Sequence, residues 1–245
     1  MIPKSHPRYE SLLLRDKMVK ASKEGYLADS AMIAHGRGEA FDYLIGEKTT
    51  YPAKRAMYVA VAALLLSNNP VISVNGNATA LAINEIIELA ESVGAKIEIN
   101  LFYRTDERIK IITQLYKDQG YKDILGTLND DIEYLNDIKN NRATASNTGI
   151  YSADTVLIPL EDGDRAEILK KSGKNILTID LNPLSRTSKM SDVSIMDNIV
   201  RAIPFMTKIA EDLKTQDKKV LIELVNEFDN EENLKESLEQ IKLKE

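Results

Sequence analysis

The side chains best equipped for chemistry stand in four short polar segments, each directly after an apolar, β-branched run. They are Asn75-Gly76-Asn77 after VISV, FYRTDER (102–108) after IEINL, PLEDGDR (159–165) after DTVLI, and DLNPLSRTS (180–188) after NILTI. In open parallel sheets ligands lie beyond the carboxyl ends of the strands, so such segments are where a site is sought first. Asn75, Gly76 and Asn77 form a strand-to-helix turn whose free backbone N–H groups suit a phosphate or carboxylate, although an ordinary capped turn has the same composition. Arg104 and Arg108 flank Thr105, which can cap a helix; Arg104, nearest the strand end, is the better anion ligand. Glu161, Asp162 and Asp164 beside Gly163 can hold Mg²⁺ through water or take a proton from an amine, with Asp164 standing where a helix cap is expected.

The last of the four segments is the most informative. Asp180 and Asn182 can hydrogen-bond a ribose or base, Pro183 keeps the loop extended, and Arg186 with Thr187 can grip phosphate oxygens. Asn198 opens a later helix, with Arg201 one turn on. His35 and Arg37, in HGRGE, form a further candidate site, although a lone His is more often packed than catalytic. Gly36-Arg37-Gly38 lacks the third glycine and the preceding strand of a dinucleotide fingerprint.

The elements that must position these residues alternate along the chain. Strands are expected at 71–74, 97–101, 123–126, 154–159, 175–180 and 193–196, with helices at 79–93, 105–119, 130–138, 164–172 and 198–214 and two charged amphipathic helices after them. This predicts an α/β, Rossmann-like fold: a mainly parallel sheet with flanking helices, preceded by an N-terminal helical segment. That segment holds a helix from about Ser5, a possible cap, to Lys23, with Pro7 in its first turn. Helical pieces interrupted at Gly36 and Gly38 follow, then an apolar helix from Pro52 to Ser67 suited to a core or a subunit interface. One domain is expected over 1–245, with a helical segment to about 67, an α/β core at about 70–214 and C-terminal helices from about 215.

Composition removes several classes of function. The net charge of −6 disfavours nonspecific nucleic-acid binding. Without Cys there is no disulfide, thiolate nucleophile, iron–sulfur cluster or thiolate zinc site, and with His6 and His35 alone no multi-histidine metal site. The longest apolar run, Ala56 to Leu66, falls short of the ~20 residues a bilayer demands, and the charged start offers no signal-peptide core, so a cytoplasmic protein with no membrane anchor is expected. No phosphate-loop, nucleophile-elbow, zinc-protease or kinase signature is present, so any ATP would be held in a less common site.

IPKSHPRYESLLLRDK, IAHGRGEAFDYLIGEKT, PVISVNGN, NLFYRTDER, GIYSADTVLIPLEDGDR and IDLNPLSRTS occur in order over roughly residues 2 to 205. Together they resemble the archaeal phosphopantothenate synthetases, the 4-phosphopantoate–β-alanine ligases of coenzyme A biosynthesis. The resemblance implies condensation of 4-phosphopantoate with β-alanine, with ATP giving AMP and diphosphate through an acyl adenylate, and a homodimeric enzyme. Its ATP-contacting positions match Arg15, Arg37, Asp180, Leu181, Asn182, Arg186, Thr187 and Asn198. Arg15, Arg37 and Arg186 would then neutralise phosphate charge together with Mg²⁺, electrostatic catalysis that needs no protein nucleophile. His35, Asp162 and Asp42 remain alternatives for taking the amine proton, so His35 and Arg37 are the catalytic candidates; Asn75, Gly76, Asn77 and Arg104 are the expected ligands of the acid substrate from strand-end placement. A small-molecule kinase on the same scaffold would release ADP instead, and a nucleotide sensor would bind without turnover.

Overall fold

Five runs rich in Val, Ile and Leu form the central sheet of the computed structural model, which describes residues 3–6 and 8–241. The strands are β1 (Pro70–Val74), β2 (Lys96–Ile99), β5 (Thr155–Pro159), β6 (Asn175–Asp180) and β7 (Val193–Met196). They are all parallel, in the order β2-β1-β5-β6-β7, and β1, β5 and β7 are buried along their whole lengths. Burial on both faces explains why these strands read as continuous apolar runs. A small antiparallel pair, β3 (Ile132–Tyr134) with β4 (Thr144–Ser146), lies between β2 and β5 in the chain.

Helices supply the crossovers. The first three, α1 (Tyr9–Lys23), α2 (Asp29–Leu44) and α3 (Tyr51–Leu66), precede the sheet. After β1 come α4 (Gly76–Val93), α5 (Asp106–Asp118), α6 (Gly163–Lys171), α7 (Arg186–Met190) and α8 (Ile199–Leu213), then α9 (Lys218–Asn226) and α10 (Asn230–Glu239). Thr105 caps α5 by accepting from the Arg108 N–H, as the sequence indicated. The apolar α3 packs against α8, α9 and β7, so its aliphatic faces are filled within the chain. Asn230 and Asn233 of α10 reach the outer edge of β7: Asn230 Oδ1 accepts from the Ser194 N–H at 2.8 Å, and Asn233 Nδ2 donates to the Ser194 carbonyl at 2.8 Å.

Several local expectations are corrected. α2 runs unbroken through Gly36 and Gly38, because a glycine costs a helix only about 1 kcal/mol against alanine. α1 begins at Tyr9 with no side-chain cap, so Ser5 does not start it, and Pro7 lies outside the described residues. Residues 123–126 contribute a single bridge, Leu125 to Glu98, rather than a strand. At Gly126 the backbone turns left-handed (φ 76°) so close to Ile99 that a Cβ would lie 2.2 Å from its carbonyl oxygen. The helix expected at 130–138 is instead β3 and a short 3₁₀ turn, since Asn136 is left-handed (φ 54°) and cannot continue a helix. The cap of α6 is Asp162, not Asp164.

The turn from α3 into β1 is fastened to the start of β5 by Asp154, which accepts from the Ser67 hydroxyl and from the N–H groups of Asn68 (2.8 Å) and Asn69 (3.2 Å). Burial pushes the Asp154 carboxyl up, but these hydrogen bonds outweigh it and hold the group below the usual aspartate range. A depressed carboxyl stabilises the fold above its unfolded pKa and loses that effect as pH falls through the folded value. Asp154→Ala is therefore expected to cost about 1–3 kcal/mol near neutral pH, with the difference from wild type shrinking below about pH 4, as read by urea denaturation across pH. A pH-independent difference would remove the ionised carboxylate from the account.

Candidate active site

The direction of chain winding reverses between β1 and β5, the neighbours from which the sheet grows both ways, and a crevice opens there beyond the strand ends. Asn75 bridges the two: its Nδ2 donates to the carbonyls of Leu160 (3.0 Å) and Pro159 (3.4 Å), while its Oδ1 caps α4 by accepting from Ala78 N–H at 3.1 Å. Gly76 allows close approach, since a Cβ there would stand 2.7 Å from the Tyr26 carbonyl oxygen. Arg108 donates to that same carbonyl at 2.9 and 3.2 Å. Leu160 takes a left-handed backbone (φ 54°), uncommon for Leu and worth about 1–2 kcal/mol of strain, at the point where β5 turns into the crevice.

A cavity of about 470 Å³ fills this crevice. His35, Arg37, Gly38 and Glu39 of α2 form one wall, Asn77 and the 160–163 turn the base, Asp180, Leu181, Asn182, Arg186 and Thr187 the opposite wall, and Asn198 at the start of α8 one end. Arg15 does not line the cavity; its Nε lies 2.9 Å from Oε2 of Glu39, which does. Asn75 and Gly76 shape the turn beneath Asn77 without lining the cavity. Arg104 lies outside it, its guanidinium donating to the Gly126 carbonyl at 3.0 Å.

Asp180 organises the opposite wall rather than offering a free carboxylate. Its Oδ1 accepts from the N–H groups of Leu181 (2.7 Å) and Asn182 (3.1 Å), and its Oδ2 from the hydroxyls of Ser185 (2.5 Å) and Ser188 (3.3 Å). The loop is thereby wound round the end of β6, and Thr187 donates to the Glu161 carbonyl at 2.9 Å. Arg186 is held by Asp164 at 2.7 Å and Glu167 at 2.5 Å, yet stays 56% exposed. Its Cβ packs where only a glycine fits at 163, since a Cβ on Gly163 would approach it to 2.5 Å.

The first wall has a different support. Within α2 only Asp42 is buried, and it faces Arg201 and Asn198 of α8. Arg201 donates to Asp42 at 2.5 Å and to Asp197 at 2.6 Å; Asn198 Nδ2 donates to Asp42 at 2.8 Å; the Thr49 hydroxyl donates to Asp197 at 2.6 Å. Burial raises the Asp197 carboxyl, with Arg201 opposing the shift. His35 is lowered, first by burial and also by Arg15, with Glu39 opposing; its ring is neutral at pH 7. Its Nε2, 3.9 Å from Glu39, is buried without a hydrogen-bond partner among the described residues. Glu161 is pushed up to about 7 by burial and then by Asp162.

Among the described residues no group of three or more His, Asp or Glu converges to hold a metal ion: Asp162 caps α6 and pairs with Arg142, and Asp164 pairs with Arg142 and Arg186. A second cavity, about 760 Å³, adjoins the first across Glu39, Leu81 and Asn198; its lining mixes Lys4, His6, Arg8, Lys17 and Arg201 with Glu10, Glu39, Asp42, Glu47 and Glu85. Glu39, shared by both cavities, went unread in the sequence; its spacing of four from His35 on one helix face was the available signal.

A parallel sheet wound in this order, with an arginine-rimmed cleft at its point of reversal, defines a Rossmann-like α/β protein with a strand-end ligand site. The chain belongs to the phosphopantothenate/pantothenate synthetase family, whose model matches residues 52–244. Over 97% of its length it is 50% identical to 90% of a 4-phosphopantoate–β-alanine ligase of Thermococcus onnurineus. Over 98% it is 50% identical to 94% of the protein so named in Methanosarcina mazei, and over 99% it is 45% identical to 97% of that in Methanospirillum hungatei.

Arg201→Met would strand Asp42 and Asp197 without their cation. The expected loss is on the order of 3 kcal/mol in urea denaturation at neutral pH. A loss under about 1 kcal/mol, the range of a surface pair, would mean that other contacts hold α2.

Proposed function

We propose that the chain is an ATP-dependent ligase of coenzyme A biosynthesis, joining 4-phosphopantoate to β-alanine to give 4′-phosphopantothenate, AMP and diphosphate. The observation that carries this reading is that Arg37, Asp180, Leu181, Asn182, Arg186, Thr187 and Asn198 surround one strand-end cavity, with Arg15 paired to its lining residue Glu39, in a chain about half identical to proteins named for that reaction. ATP is assigned to this cavity. Leu181 gives an apolar surface for the base, Asn182 and Asn198 give amide groups for ribose and phosphate, and Arg15, Arg37 and Arg186 give positive charge for the phosphate chain.

In the first step a substrate carboxylate oxygen attacks the α-phosphorus, and the bond to diphosphate breaks. Negative charge then grows on oxygens that Arg37 and Arg186 face, and fixed cations in a partly dry cleft stabilise it. Arg37 makes no hydrogen bond or ion pair among the described residues, so its guanidinium is uncommitted until ligand arrives. Neutral His35 is assigned a hydrogen bond to a phosphate oxygen, which satisfies the buried Nε2. Magnesium enters as the complex of ATP's own phosphates, because among the described residues no three His, Asp or Glu side chains converge to hold it. The phosphate of 4-phosphopantoate is assigned to the second cavity, whose Arg8 and Lys17 lie across the shared wall. The homodimer implied by the resemblance would meet through surfaces other than α3, whose apolar faces are filled within the chain.

Incubation with Mg-ATP, 4-phosphopantoate and β-alanine should yield AMP and 4′-phosphopantothenate only in the complete mixture; ADP would indicate a kinase, and binding without product a sensor. Arg37→Ala and Arg186→Ala should each lower kcat/KM about a hundredfold or more. Arg8→Ala and Lys17→Ala should raise the KM for 4-phosphopantoate about tenfold while leaving that for ATP near wild type; equal shifts in both would reject the assignment of the second cavity.

A further inference from the structure

Ligation of an amine requires a group that attracts its ammonium and removes a proton, and four carboxylates line the cavity. Three are committed. Glu39 is paired with Arg15 and accepts from Ser11 at 2.8 Å; Asp162 caps α6 and pairs with Arg142; Asp180 accepts four hydrogen bonds from its own loop. Glu161 differs. Its Oε1 accepts only from the Asp162 N–H at 2.9 Å, no cation stands within 4.0 Å among the described residues, and Oε2 has no partner there. The left-handed Leu160, tied by Asn75, turns this residue over the ends of β1 and β5.

We infer, on the ligase reading above, that the Glu161 carboxylate receives the ammonium of β-alanine and takes its proton. His35 is the poorer acceptor, because burial leaves its ring a weaker base than usual. Asp42 is consumed by Arg201 and Asn198 and does not line this cavity. The groups facing Glu161 are Asp162, whose charge favours an incoming cation, and Arg165 and Arg142, which oppose it. The raised carboxyl, at about 7, is better matched to an amine than an ordinary glutamate. In the step itself one ammonium proton moves to Glu161. The freed nitrogen pair forms the C–N bond to the acyl carbon of the adenylate. The C–O bond to AMP breaks with its electron pair leaving on the AMP phosphate, and the second proton departs to solvent from the tetrahedral adduct.

The test separates the two half-reactions in the purified full chain. ATP–diphosphate exchange with 4-phosphopantoate alone reports adenylate formation, β-alanine reports the step that needs a proton acceptor, and hydroxylamine, uncharged at neutral pH, reports trapping that needs none. In Glu161→Gln, exchange and hydroxamate formation should stay within a few-fold of wild type, while β-alanine-dependent product falls at least about a hundredfold. Retained exchange also certifies folding; if Glu161→Gln does not fold, Glu161→Asp carries the same comparison. Near-normal turnover with β-alanine, or an equal loss in all three assays, would overturn the role of Glu161. Absence of exchange in the wild type would instead overturn the adenylate reading itself.

Discussion

Asp42, the one side chain that α2 buries, ties this wall of the cavity to α8, while Glu39 on the same helix ties it to Ser11 and Arg15 of α1. Asp42 is the anchor of α2, and the Arg201–Asp197 pair of α8 is what it holds. Such a cluster is costly to desolvate and is favoured by added hydrogen bonds, supplied here by Thr49 and Asn198 as well as Arg201. The result couples two parts of the site: Asn198, at the end of the cavity, and His35 with Arg37, along its side, are referred to one buried charge cluster. Hydrophobic packing would have fixed α2 less directionally, since apolar contacts tolerate sliding and a three-way ionic junction does not.

The opposite wall follows a different rule. There a loop is wound on one carboxylate, Asp180, and pressed against the neighbouring strand end through Thr187 and the glycine at 163. Both walls meet beyond the carboxyl ends of β1 and β5, the neighbours at which the winding of the sheet reverses. Cations of α2 and α7 line the cavity together with one uncommitted carboxylate, Glu161, from the turn after β5.

Much of this was legible in the chain. The core strands were readable because burial on both faces leaves unbroken apolar runs, and the loop after β6 was readable because DLNPLSRTS combines residue types that a plain surface loop seldom needs. The errors fell where long-range contacts override local preference. Gly36 and Gly38 suggested a break, but α2 is fixed from outside itself; residues 130–138 suggested a helix, but Asn136 reverses the chain. Arg104 looked like an anion ligand because strand-end position is readable, whereas the carbonyl of Gly126 that occupies it is not. Asp180 reads in the sequence as a ribose or base ligand, whereas its place as the pin of its own loop depends on hydroxyls whose convergence no spacing reveals. Glu161 stood within a recognised acidic segment, and only the pairing of its neighbours distinguishes it.

The two asparagines of α10 that take up the Ser194 backbone have a consequence for the sheet as a whole. A parallel sheet ends in strands with unused N–H and C=O groups, each a template on which another chain can polymerise. Here the β7 margin is occupied by side-chain amides that imitate a neighbouring strand, and the β2 margin is met by the backbone of Leu125 on both sides of Glu98. α10 therefore acts as a stopper on this margin: where its amides sit, the Ser194 backbone is not free to pair with a strand of another chain.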